Sequence, residues 1–208
     1  MKRIIVICIS IIIASSSILF GKGDYSFQEG DVLFQITQTK QSKAIQLATK
    51  SKYTHVGILF IISNEPFVLE AGSRVKYTRL ENWINRGVNN YYLVKRLKGI
   101  MMEEKEVAKL KEIAKKYLGK QYDSFFNWSD EKLYCSELVW KIYKKGLNIE
   151  LGAPKKIKEF DLKHPHVRDK LFETYGQKVP LEEIMISPGQ IFKSKNLFKV
   201  YEKNEAVN

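Results

Sequence analysis

Downstream of Gly30 the hydrophobic and polar positions fall first into strand-like alternation and later into helical spacing. DVLFQIT (Asp31–Thr37) alternates and is rich in β-formers, which predicts a strand. SKAIQLATK (Ser42–Lys50) has the apolar spacing of a short helix that starts at a Ser cap. THVGILFII (Thr54–Ile62) and FVLEAG (Phe67–Gly72) then read as two strands at hairpin distance across the break Ser63–Pro66. In the first of these, alternation puts His55, Gly57, Leu59 and Ile61 on one face and Val56, Ile58, Phe60 and Ile62 on the other. Strands over 75–80 and 91–97 follow, parted by a turn-prone segment around Arg86-Gly87. EEKEVAKLKEIAKKYLG (Glu103–Gly119) lines up Val107, Leu110, Ile113, Ala114 and Tyr117 on one stripe and stops at Gly119, which predicts an amphipathic helix. A second helix covers about 134–145 and ends at Gly146, and PGQIFKSKNLFKVYE supplies one or two closing strands. Strands early and helices in the middle predict an α+β fold.

The amino terminus departs from this pattern. Lys2 and Arg3 precede an uncharged run from Ile4 to Gly21 that is apolar at first and then turns to small residues, the layout of a secretory signal peptide. The run also approaches the roughly 20 residues that span a bilayer, so an uncleaved anchor is the alternative. Residues 1–22 are therefore read as leader or anchor, and 23–208 as one exported domain, large enough to bury a core without staples. With 44% hydrophobic and 28% charged residues, the composition excludes a disordered tail, a coiled coil and a polytopic membrane protein. The formal charge is +12, and losing Lys2 and Arg3 with the leader lowers it to +10. Most lysines fall on expected helix faces or in the tail, which fits either a solvated surface or attraction to an anionic membrane or wall polymer. No nucleic-acid-binding motif accompanies the charge, so nucleic acid is not an expected partner.

The candidate chemistry starts from the cysteine count. There are two cysteines, Cys8 and Cys135; if the leader goes, one thiol remains and no intramolecular disulfide can form. Such a thiol is an inert core residue, an intermolecular bridge or a reactive group. Cys135 lies in SDEKLYCSELVWKIYKKG, in or near the first turn of the second helix, where unsatisfied N–H groups and the positive dipole end favour a thiolate. The same N–H groups can help to hold an oxyanion. A thiolate needs a base, and the chain has three histidines. His55 sits in a hydrophobic strand, where it is either a satisfied core residue or such a base. His164 and His166 flank Pro165 in a polar, loop-like stretch, and no second cysteine completes a zinc pattern with them, so no metal site is expected. Glu70, in the strand after that of His55, is either a rim residue or the group that orients the imidazole. A turn centred between Ile62 and Ser63 would set Glu70 directly opposite His55 and on its face.

YTHVGILF, VLEAGS and GKQYDSFFNWSDEKLYCSELVWKIY together resemble the YaeF/YiiX-like permuted papain-fold enzymes, relatives of the NlpC-type cysteine peptidases. The resemblance runs from about Glu29 to Leu147, and the histidine precedes the cysteine, the reverse of the papain order. It implies a circularly permuted papain-like fold, an antiparallel sheet packed against helices, and amidase or peptidase activity in the cell envelope. By the same resemblance Cys135 is the nucleophile, His55 the base and Glu70 the third member, and Tyr122-Asp123 contacts substrate. Tyr53, two residues before His55 and so on its face, is a further candidate for positioning or oxyanion support. The implied partner is an amide, as an N-acylated amino acid, a lipopeptide or a wall peptide, and no cofactor is required. An acyltransferase would use the same thioester. A basic envelope-binding protein without turnover has no reason to keep Cys135, His55 and Glu70 together.

Overall fold

The computed structural model describes residues 18–19 and 26–203. The expected leader lies outside these residues, apart from the backbone pairing of Ile18–Leu19 with Ser26–Phe27. Among the described residues, no helix is long and apolar enough to cross a membrane.

Six strands form one antiparallel sheet: β1 (Val32–Gln35), β2 (His55–Ile62), β3 (Glu65–Ala71), β4 (Val75–Arg79), β5 (Tyr92–Leu97) and β6 (Leu197–Glu202). Their order across the sheet is β6-β5-β1-β2-β3-β4. Alternation sorts the side chains as the sequence predicts. Val32, Phe34, Val56, Ile58, Phe60 and Leu69 enter the larger core, beneath α3 (Glu104–Tyr117) and α4 (Cys135–Leu147). Leu33, Leu59 and Val68 pack on the opposite face, against Leu80 and Trp83 of the short helix α2 (Leu80–Asn85). Two further helices, α1 (Ser42–Thr49) and α5 (Pro165–Tyr175), pack on each other, and α6 (Pro188–Phe192) precedes the last strand. The α3 stripe is buried at Val107, Leu110, Ala114 and Tyr117, which explains why a helix so rich in lysine forms at all.

Several expectations are corrected. Leu80 opens a helix instead of ending a strand, because Leu80 and Trp83, one turn apart, bury together against the sheet. Pro188–Phe192 is helical and only Leu197–Glu202 is a closing strand; Ser187 caps that helix, accepting the Gln190 N–H at 3.2 Å while the Gln190 side chain takes the Ser187 N–H. Helix α4 runs through Gly146 and stops at Asn148, which adopts φ 56°. Ser42 is the first residue of α1, and its hydroxyl accepts from Thr39 N–H at 3.0 Å. His164 and His166 belong to the start of α5, where the His164 imidazole accepts the His166 N–H. The β2–β3 turn is Ser63-Asn64, both at positive φ (51° and 62°), so Ile62 pairs with Glu65 and Ile58 with Leu69. That register brings Gly57, not His55, beside Glu70: a Cβ built at Gly57 would lie 3.6 Å from the Glu70 Cβ.

Candidate active site

Cys135 is the first residue of α4, and the first bond within that helix is Leu138 N–H to Tyr134 C=O, so the Cys135 amide precedes the hydrogen-bonded ladder. The helix start is tied to the chain's far end. Ser136 Oγ donates to Ile186 C=O at 2.8 Å, and Ile186 N–H donates to the Tyr134 hydroxyl at 3.1 Å. Buried Glu137 and Lys141 pair at 2.7 Å one turn further on, and Lys141 also donates to Asp130 Oδ1 and to Ser129 C=O, fixing the loop that leads into the helix. Burial pushes the Glu137 carboxyl up to about 7 despite Lys141 beside it.

His55, the first residue of β2, is held from two sides. Its Nε2 lies 2.6 Å from Glu70 Oε2, which leaves Nδ1 as the ring nitrogen available to Cys135, the other group that acts on the imidazole. Burial pulls the imidazole down, and the hydrogen bonds and charges of Cys135 and Glu70 override it, raising His55 to about 9. Glu70 is fully buried, and burial alone would push its carboxyl up. Bonds from His55, Arg86 and Thr78 instead hold it down to about 2. Thr78 Oγ1 and Arg86 Nη2 both donate to Oε1, at 2.6 and 2.5 Å. The Trp83 ring lies 6.1 Å from the His55 ring, centroid to centroid, and the Trp83 carbonyl accepts from Gln35 Nε2 at 2.6 Å. Gln35 is itself the ladder partner of His55.

Cys135 forms part of the wall of an apolar cavity, together with Ala44 and Ala48 of α1, Leu171 of α5, Phe160 and Met185. Tyr122 shares that wall, and burial with the nearby Cys135 raises its phenol. The neighbouring Asp123 is buried and accepts the Phe125 and Asn127 N–H groups at 2.8 and 2.9 Å, so its carboxylate is spent on the loop beside the cavity. Tyr53 is not in the cavity wall. It packs between Phe34 and Phe192, at centroid distances of 5.5 and 4.5 Å, on the core face opposite that of His55. A residue that precedes the strand is not bound by the strand's alternation, which is why the parity argument misplaces it.

Sequence reasoning missed Thr78, Trp83, Gln35 and Arg86. Only an apolar Trp83-Ile84 pair within a polar stretch hinted at a buried turn there. It also left the tail after Leu147 without a role, yet Ile157, Phe160, α5, Met185 and Pro188 supply much of the cavity.

The chain has clear relatives. It is 48% identical over 173 residues to YiiX of Escherichia coli (strain K12), an uncharacterized protein, covering 83% of this chain and 85% of that one. A solved structure of yiiX from Escherichia coli O157:H7, described as a metalloprotein, superposes with a TM-score of 0.82 at 46% identity, covering 85% of this chain and 97% of the other. In the present chain no group of three His, Cys, Asp or Glu side chains that could hold a metal ion occurs among the described residues. The family model for permuted papain-like amidases of the YaeF/YiiX type matches residues 26–201. With the histidine strand ahead of the cysteine helix and the sheet packed beneath it, this chain belongs to the permuted papain-like amidase family, YaeF/YiiX, C92.

Proposed function

We propose that the chain is an exported thiol amidase that cleaves the amide of an N-acylated substrate in the cell envelope through Cys135, His55 and Glu70. One observation carries the reading: Cys135, close enough to His55 to raise the imidazole, is also part of the wall of an apolar cavity. A long acyl chain gains about 0.8 kcal/mol for each methylene it buries in such a cavity, whereas a polar wall peptide would lose hydration there. This favours the lipid-bearing members of the expected substrate set.

The chemistry runs in two halves. His55 Nδ1 takes the thiol proton, and Sγ bonds to the carbonyl carbon. The oxyanion faces the Cys135 N–H at the helix start. The C–N bond then breaks, and the amine leaves with the proton from His55. Water next attacks the thioester, gives its proton to Nδ1, and the C–S bond breaks to return the thiolate and release a carboxylic acid. Glu70 accepts the Nε2–H throughout, fixing the tautomer.

The test is intact-mass analysis after incubation with N-dodecanoylglycine, N-acetylglycine or a muropeptide. The expected result is a dodecanoyl adduct and released glycine with the first, absent in Cys135→Ala. Cleavage of the muropeptide with the dodecanoyl amide untouched would overturn the substrate reading. Equal turnover by Cys135→Ala would overturn the nucleophile.

A further inference from the structure

Glu70 is the only member of the Cys135–His55–Glu70 set with no access to solvent, and its second oxygen is occupied by groups that the reaction does not consume. We infer that Arg86 is a positioning residue for the second half-reaction, keeping Glu70 ionised while His55 is neutral. The inference rests on the thiol-amidase reading above.

Once His55 has taken the thiol proton, two cations meet Glu70: the imidazolium on Oε2, at 2.6 Å, and Arg86 on Oε1, at 2.5 Å. Once His55 has passed its proton to the departing amine, the imidazole is neutral. Arg86 is then the one cation hydrogen-bonded to Glu70 among the described residues. Lys76 stands across the ladder from Glu70 but is exposed. A buried carboxylate without a cation is costly and takes up a proton instead. A protonated Glu70 would donate to Nε2 and force the ring hydrogen onto Nδ1, the atom that must accept a proton from water. Deacylation would stop for want of the right tautomer. Arg86 prevents this because a guanidinium does not titrate in the relevant range. Its placement is built in. Arg86 ends α2, Gln35 Nε2 donates to the Trp83 and Ile84 carbonyls of that helix, and Gln35 is the ladder partner of His55. The Arg86 side chain is 46% exposed, so replacing it leaves no cavity in the core.

The experiment follows p-nitrophenyl octanoate hydrolysis by stopped flow with the whole protein. The burst of p-nitrophenolate reports acylation, which needs no proton for this leaving group, and the steady state reports deacylation. Arg86→Met is expected to keep the burst and to slow the steady state about 10- to 100-fold, within the range of general-base effects, with the octanoyl-enzyme accumulating by mass. Arg86→Lys should recover most of the loss. Thr78→Val removes a hydrogen bond but no charge, and should slow both phases alike. A wild-type ratio of burst to steady state in Arg86→Met, or an equal fall in both phases, overturns the role of Arg86 alone. A wild type that forms no octanoyl-enzyme overturns the thiol-amidase reading and this inference with it.

Discussion

Glu70 reaches His55 along the diagonal of the β2–β3 hairpin, its Oε2 2.6 Å from the imidazole Nε2, while Gly57 occupies the position directly beside it. The diagonal is longer than a direct cross-strand step but within reach of a glutamate. It also lets the carboxylate lie over a residue that has no side chain. A Cβ at Gly57 would meet Leu69 C=O at 2.8 Å and Val68 Cγ1 at 2.4 Å. Gly57→Ala is therefore expected to destabilise the fold by about 1–3 kcal/mol, as overpacking does, and to slow Cys135 alkylation by iodoacetamide. Urea unfolding and alkylation timed by intact mass check both.

Glu70→Gln keeps the shape and removes the charge. His55 then loses a partner that raises it, and Arg86 faces a neutral amide. Cys135 alkylation at pH 7 is expected to slow at least about tenfold, the equivalent of one pKa unit at His55. A wild-type rate would show that Glu70 does not act through the imidazole.

Stability should carry the signature of these two groups. His55 is raised above its ordinary value, so its contribution is complete below about pH 6.5 and lost as pH climbs through about 9. Glu70 is depressed, so its contribution is complete above about pH 4.5 and lost as pH falls through about 2. In thermal unfolding these two groups contribute no slope between these limits and an alkaline decline above them. That decline should weaken in Cys135→Ala, which removes one of the groups that raise His55. Glu137 has the opposite sense for a carboxyl: raised to about 7, it stabilises below its unfolded value and costs stability as pH rises through 7. Glu137→Gln is expected to raise Tm more at pH 8 than at pH 5.

Chain-length selectivity tests the cavity without any substrate in hand. N-decyl iodoacetamide should alkylate Cys135 faster than iodoacetamide does, because the decyl group buries against Ala48 and Leu171. Ala48→Trp should abolish the preference and leave the iodoacetamide rate alone.

The hairpin turn offers a test of register. Ser63 and Asn64 both hold positive φ, a conformation best supplied by Asn-Gly. The double change Ser63→Asn, Asn64→Gly should raise Tm with Cys135 reactivity unchanged. Inserting one residue between them would slip the pairing and turn Glu70 to the other face; it should eliminate rapid alkylation.

Much of the fold was legible because its signals are local. The period-two alternation of Val32–Gln35 and His55–Ile62 and the stripe Val107, Leu110, Ala114, Tyr117 depend only on which residues neighbour one another along the chain. Elements whose reason lies elsewhere were missed. The short helix at Leu80 forms because Trp83 needs a buried site against the far face of the sheet. Helix α6 did have a local signal, the Ser187–Gln190 capping box, which the strand reading of PGQIF passed over.

The candidate site divides along the same line. By itself the sequence determined that one thiol sits at a helix start and one histidine in an apolar strand, with a carboxylate on the strand after it, since burial preference and helix polarity are properties of single segments. Only the tertiary structure decided the diagonal contact, because a turn one position further along moves every partner in the ladder. It alone brought Thr78 and Arg86 onto Glu70 and drew α5 and the tail into the cavity beside Cys135, contacts between segments far apart in the chain that no local pattern encodes.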